Sequence, residues 1–180
     1  MISAGKGTRI TNRLVQKGLV KVHEINLGGR GGSVKFLELT EKGHEAIGMK
    51  PRPGIGKGAG FEHEFWQCYV SEKLKNNQSV KKVAIEGRLL NKFIDILIET
   101  ENEKIAVEIE MSQAHVKENV AKDVESGCDR IIIACKDRKI MAAVQEITDA
   151  FSGDTKNKLL ICTVQKAIET MVRYLAEKGG

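Results

Sequence analysis

Three carboxylates interrupt two of the most apolar stretches of this chain. The first stretch reads K-F-I-D-I-L-I and holds Asp95; the second reads I-A-V-E-I-E-M and holds Glu108 and Glu110. Strands this apolar are buried on both faces of a sheet, where an ionised carboxylate is costly unless a cation neutralises it. Side chains alternate along a strand, so Glu108 and Glu110 share one face. The pattern predicts either ion pairs with basic side chains or a site for a divalent metal ion.

The surrounding elements must bring these acids together. Residues 99–103 read as a hairpin turn, so the two apolar strands should pair side by side, with Asp95 across from the glutamates. Periodicity over residues 61–178 predicts the order α-β-β-β-α-β-α-β-α, with a first strand at 79–86 and a helix at 112–126. A helix precedes the strand at 130–135, so that strand should run parallel to its neighbour. The expected fold of residues 61–180 is a three-layer α/β/α domain around a central mixed sheet.

A separate basic module precedes this domain. The first 60 residues contain 11 Lys and Arg against four acids, whereas the remaining 120 contain 18 basic and 20 acidic residues. Residues 8–17 read as a helix ended by Gly18, followed by two strands around a glycine-rich turn and a helix capped by Thr40. Residues 49–60 hold both prolines and many glycines, which indicates a linker. Basic segments of this kind attract phosphate backbones.

Composition excludes several classes of protein. No apolar run approaches the roughly 18 residues of a membrane span, and the N-terminus has no apolar signal core. The four cysteines are far apart without a C-x-x-C pair, which favours free thiols in a reducing compartment. We therefore expect a cytoplasmic protein without membrane contact.

Two sequence motifs of the basic module are informative: T-N-R-L-V-Q-K-G-L-V and L-E-L-T-E-K-G. They resemble winged helix transcription factors, and the likeness implies a partial winged helix (helix, β-hairpin wing, helix) over residues 1–48. Residues 8–17 would then be the recognition helix, with Arg9, Asn12 and Arg13 facing DNA and Arg30 at the wing tip. A full winged helix has two more helices before this one, and only seven residues precede Thr8. A protein-contact surface is the alternative.

The second domain, with an acid on its second strand and an acid pair on its third, resembles the restriction-endonuclease-like PD-(D/E)xK superfamily. The resemblance implies Mg²⁺ or Mn²⁺ held by Asp95 and Glu108, with Glu64 of the first helix, or its rival Glu62, completing the shell. Glu110 stands where that family usually has lysine, a departure seen both in one type of restriction enzyme and in members without catalysis. Three basic residues could bind phosphate or take the place of that lysine: Lys117, Lys122 and Arg88.

The whole string resembles the C-terminal region of conjugation-type HerA/FtsK-like DNA-translocating ATPases, through F-E-H-E-F-W and A-V-E-I-E-M-S followed by E-N-V-A-K-D. This implies a role on DNA beside such a motor or the rest of a longer parent chain. Two functions remain: a metal-dependent endonuclease guided by the basic module, with Asp95, Glu108, Glu110 and Lys122 as catalytic residues, or a non-catalytic DNA-binding or docking module. Homodimerisation and a preference for DNA over RNA stay open. His63 is assigned to the helix surface, with lining of the site as the alternative.

Overall fold

A computed structural model of the protein describes residues 4–28, 32–50, 60–151 and 153–178. The chain divides into two units, Met1–Glu62 and His63–Gly180, described separately below. None of the described helices is long and apolar enough to cross a membrane.

The first unit is a helix, an antiparallel hairpin and a second helix. Its elements are α1 Ala4–Gln16, β1 Val20–Asn26, β2 Ser33–Leu39 and α2 Glu41–Ala46. The hairpin pairs Val22 with Leu37. Helix α1 begins four residues before the predicted start at Thr8. Gly5 and Gly7 have low helix propensity, but propensity is only a weak guide to where a helix begins. The predicted wing tip, Arg30 included, and linker residues 51–59 lie outside the described residues.

Two local signals in this unit act as predicted. Gly18, at φ +67°, follows the end of α1 in the left-handed conformation that favours glycine. The Thr40 hydroxyl accepts a hydrogen bond from the backbone amide of Gly43 at 3.0 Å, which caps α2. Gly43 is needed there because an added Cβ would lie 2.1 Å from the carbonyl oxygen of Leu19. These contacts fix α2 against the start of the hairpin.

The second unit is built on a five-stranded sheet with the order β3-β4-β5-β6-β7. Its elements are α3 Phe61–Leu74, β3 Lys82–Leu89, β4 Lys92–Glu99, β5 Lys104–Glu110, α4 Val116–Glu125, β6 Arg130–Cys135, α5 Arg138–Asp149, α6 Gly153–Lys158, β7 Leu159–Thr163, a 3₁₀ turn Val164–Lys166 and α7 Ala167–Lys178. The first three strands are antiparallel, and β6 and β7 continue the sheet in parallel. The predicted mixed α/β architecture and the parallel placement of 130–135 are confirmed.

Strand β5 is buried from Ile105 to Glu110, so both faces of the sheet are covered at its centre. On one face, buried apolar residues of the sheet pack with α4 and α5: Ala106, Ile131, Ile133, Val116, Val120 and Val144. Helices α3 and α7 supply further buried side chains, among them Trp66, Val70, Met171 and Leu175. This central burial is what makes any charge on β5 energetically important.

In the second unit, two predicted boundaries differ from the observed ones by three residues or more. Strand β3 runs three residues later than predicted, because its pairing with β4 around a two-residue turn, Leu89 opposite Lys92, sets its register. Helix α4 begins at Val116 rather than at residue 112, because residues 111–115 form turns that lead out of β5. The preceding cap residue, His115, makes no side-chain capping bond.

Candidate functional site

The sheet is interrupted on both sides of Asp95. On one side, the β4–β5 ladder ends at the pair Ile96 and Val107. Beyond it, the Asp95 Oδ2 atom accepts a hydrogen bond from the Ile109 amide at 2.8 Å, in place of a backbone carbonyl. The carboxylate of Asp95 is therefore held by the backbone of β5.

On the other side, strand β3 is distorted opposite the same residue. Ile85 pairs with Ile96 and Gly87 with Ile94, so Glu86 lies opposite Asp95. Glu86 adopts φ +48°, a left-handed conformation that costs a non-glycine residue free energy. Backbone strain of this kind is concentrated at functional sites and is maintained by the surrounding fold.

Helix α3 orients the Asp95 carboxylate from a third direction. The Gln67 Nε2 atom donates to Oδ1 at 3.1 Å, and the His63 Nε2 atom lies 3.0 Å from Oδ2. His63 and Gln67 are four residues apart and so share one helix face. Burial would lower the pKa of His63, but its hydrogen bond to Asp95 and the Asp95 charge outweigh burial and raise the pKa. His63 is thereby favoured as a proton donor to Asp95.

A second network surrounds Glu108, which is 2% exposed. The Lys122 Nζ atom donates to Glu108 Oε1 at 2.9 Å and lies 3.6 Å from Asp123 Oδ1. Asp123 is fully buried, and neither of its carboxylate oxygens has a hydrogen-bond partner among the described residues. One ammonium group therefore faces two buried carboxyl groups on the same side of the sheet.

The pKa values of this network reflect that imbalance. Burial, the nearby Asp123 and then Asp95 raise the pKa of Glu108 well above its usual range, against the opposing effect of Lys122. Burial raises the pKa of Asp123 to about 6. For Lys122, burial lowers the pKa, but the charge and hydrogen bond of Glu108 together with the charges of Asp123 and Asp95 outweigh burial, so the pKa is raised. Lys122 thus stays cationic while its carboxyl partners hold protons more tightly than free carboxyl groups do.

Glu110 is also directed to α4, as the alternation of side chains along β5 requires. The Asn119 Nδ2 atom donates to Glu110 Oε1 at 2.7 Å. Burial raises the pKa of Glu110, although the Asn119 hydrogen bond opposes that rise. Asp95 contributes to the raised pKa values of both strand glutamates, so the three predicted acids form one electrostatic cluster.

The donor set of this cluster fits a hard divalent cation. Carboxylate oxygens suit Mg²⁺, which commonly takes one or two protein carboxylates and completes its shell with water and substrate phosphate. Asp95 and Glu108 meet that requirement by type. Among the described residues, no group of three or more His, Cys, Asp or Glu is arranged to hold a metal ion. Glu64, the predicted additional ligand, is half-buried and contributes to the electrostatic environment of His63.

The predicted DNA-contacting residues lie on exposed surfaces. Arg9, Asn12 and Arg13 are exposed on α1 of the first unit. In the second unit, Lys117 is exposed on α4, and the exposed Arg88 guanidinium lies 5.2 Å from the centre of the Phe93 ring. These positions are compatible with phosphate contacts, and they remain predictions.

Sequence reasoning does not place Gln67, Asn119 and Asp123 beside the acids, and it gives His63 a place in the site only as the alternative to the helix surface. Both pairs show the i, i+4 spacing of one helix face, which was the available signal. That spacing alone does not reveal which strand a helix face will meet, and so the sequence predicts His63 at the helix surface.

No protein-family model matches this chain, and a search of curated proteins likewise finds no match.

Proposed function

We propose that this protein is a DNA-processing enzyme, a Mg²⁺- or Mn²⁺-dependent endonuclease of the restriction-endonuclease-like type. The observation that supports this most strongly is the convergence of Asp95, Glu108 and Glu110 with Lys122 at one end of a mixed sheet. Lys122 supplies from α4 the cation that the PD-(D/E)xK pattern usually takes from the strand position of Glu110. The basic first unit would act as a partial winged helix that binds DNA.

Each group has a defined task in this mechanism. Asp95 and Glu108 would hold the metal ion, which when bound polarises the scissile phosphate and lowers the pKa of a coordinated water. Lys122 stabilises negative charge that develops on the phosphate oxygens. Glu110, whose raised pKa brings it closer to neutral pH, accepts the proton of the attacking water. The water oxygen would bond to phosphorus as the phosphodiester P–O bond breaks, and the leaving sugar oxygen would take a proton from solvent.

The residues around the acids act by positioning them. His63 and Gln67 fix both oxygens of Asp95, and Asn119 fixes one oxygen of Glu110. Reactive groups held by neighbouring hydrogen bonds need little reorganisation in the transition state. Asp123 increases the negative charge around Lys122 and so helps to keep its ammonium group protonated.

A second candidate is a non-catalytic DNA-binding or docking module on the same fold. It is favoured by the Lys122 ammonium group, which lies among the acids as their own cation. The partner implied by the sequence resemblance, a DNA-translocating ATPase, would suit either candidate.

Cleavage of plasmid and branched DNA separates the two candidates. With Mg²⁺ or Mn²⁺ we expect cutting that falls about 100-fold or more in Asp95→Asn and Glu108→Gln. Glu101→Gln, at the exposed turn of the same hairpin, is the matched control and should cut as the wild type does. Circular dichroism and thermal melting establish that the variants are folded. DNA binding without cutting under any metal would favour the non-catalytic module.

A further inference from the structure

The turn between β3 and β4 combines two features that do not stabilise the folded chain. Leu90 and Asn91 form a two-residue hairpin turn with φ +44° and +63°. Turns of this kind favour Asn, Asp and Gly, because other side chains are strained at positive φ. Asn91 fits that rule, whereas Leu90 does not.

The same leucine is 70% exposed, and Phe93, three residues later, is 58% exposed. Among the described residues of the second unit these are the two most exposed large apolar side chains. An apolar side chain that is both strained and in water contributes little to folding. A residue that breaks local rules without a stabilising contact is a candidate for function.

The tip carries one basic group beside its apolar side chains, whereas its other basic group is paired with an acid. Arg88 is paired directly across from Phe93 and lies over its ring, 5.2 Å from the centre. Lys92 is exposed, with Nζ 3.4 Å from Glu125 Oε2, and Glu86 is the nearby acid on β3. Phe93 lies two residues before Asp95 on β4, which is about 7 Å along the strand. The tip is therefore adjacent to the candidate cutting site.

We propose that the tip formed by Arg88, Leu90 and Phe93 is a wedge that enters duplex DNA beside the phosphate presented to Asp95. Leu90 and Phe93 insert at a base step and unstack it, a known use of apolar side chains on DNA-bending proteins. Arg88 contacts the adjacent phosphate. This inference rests on the proposed action on DNA and adds to it the way in which the duplex is deformed.

The test uses the full chain and a duplex that contains 2-aminopurine, whose fluorescence rises when its stacking is lost. In metal-free buffer with EDTA, the wild type should bind and raise the fluorescence. Leu90→Asn should lose at least about half of the rise and bind about five-fold more weakly, equivalent to about 1 kcal/mol. Phe93→Ala should behave similarly. Val172→Ala, which removes another exposed apolar side chain on α7, is the control and should match the wild type.

The thermal stability of the variant shows whether a weaker DNA response comes from a lost contact or from misfolding. Asparagine tolerates the left-handed conformation, so Leu90→Asn should melt at the same or a higher temperature while its DNA response falls. Unchanged binding and fluorescence in Leu90→Asn and Phe93→Ala would overturn the wedge, as would wild-type binding without a fluorescence rise, or no duplex binding. Cleavage in Mg²⁺ is measured separately. Cutting without a wedge effect leaves the nuclease intact, whereas a wedge effect without cutting retains the wedge and refutes the nuclease.

Discussion

The β4–β5 hairpin has acids at both ends, and the two ends treat them in opposite ways. At the turn, the carboxylates are near solvent and have individual partners: Lys82 Nζ lies 3.3 Å from Glu99, Lys81 Nζ 2.6 Å from Glu101, and Tyr174 Oη donates to Glu103 at 2.7 Å. At the other end, the four acids Asp95, Glu108, Glu110 and Asp123 lie close together, and their ion pairs are made to Lys122 and His63.

This difference separates two uses of the same residue types. Exposed ion pairs contribute little free energy and lose little when broken, because water and salt screen them. Buried carboxylates without matched cations destabilise the fold through desolvation and repulsion, which is what raises their pKa values. Clusters with perturbed pKa values of this kind are concentrated at sites of binding or reaction. The buried end of the hairpin therefore bears the functional hypothesis, and the turn end is its internal control.

The largest expected effect is loss of the shared cation. Lys122→Met leaves Glu108 and Asp123 buried without an ammonium group, and breaking a buried pair from one side costs about 3–5 kcal/mol. Urea denaturation at pH 8 should show that decrease in the free energy of unfolding. At pH 5 the decrease should be smaller, because protonated carboxyl groups need no cation. An unchanged unfolding midpoint at pH 8 would contradict the reading of Lys122 as the neutralising group.

A smaller effect on the free energy of unfolding is expected from the ionisation of Asp123, and it depends on pH. Its folded-state pKa of about 6 lies above the ordinary 3.8, so the folded protein binds that proton more tightly than the unfolded chain does. The resulting stabilisation is complete below about pH 4 and is lost as the pH rises towards 6. Asp123→Asn cannot ionise. Its stability relative to the wild type should therefore increase as the pH rises from 4 to 6, by about 2 kcal/mol of a full difference of about 3 kcal/mol.

The control for this slope is Glu101→Gln at the exposed turn. Its difference from the wild type should stay flat over the same pH range, within about 0.5 kcal/mol. Equal slopes for the two variants would show that burial at Asp123 has no special electrostatic consequence. Differences in slope are the useful quantity, because any packing change caused by asparagine shifts the whole curve without tilting it.

The sequence alone predicts the features that depend on side-chain alternation along a strand and on the apolar pattern of buried strands. The shared face of Glu108 and Glu110 follows from a period of two, and the bounds of β6, Arg130–Cys135, coincide with its apolar run. The predicted start of β3 is three residues too early, since register with β4 rather than local composition decides it. The residues at 63, 67, 119 and 123 could be placed on helix faces, but their meeting with the acids is a tertiary contact. Local patterns do not encode which strand end a helix face reaches.

The smallest effect should come from the exposed ion pair at the turn. Lys81→Ala removes the partner of Glu101, in a pair whose side chains are 54% and 73% exposed. Because water replaces the lost partner, the free energy of unfolding should change by no more than about 0.5 kcal/mol, and less in high salt. Chemical denaturation at low and high salt measures this. A loss above about 1 kcal/mol would mean that the stability of the turn end also depends on its charges. The difference between the effects at Lys122 and Lys81 would then depend more on the number of ion pairs that each lysine makes than on its position in the sheet.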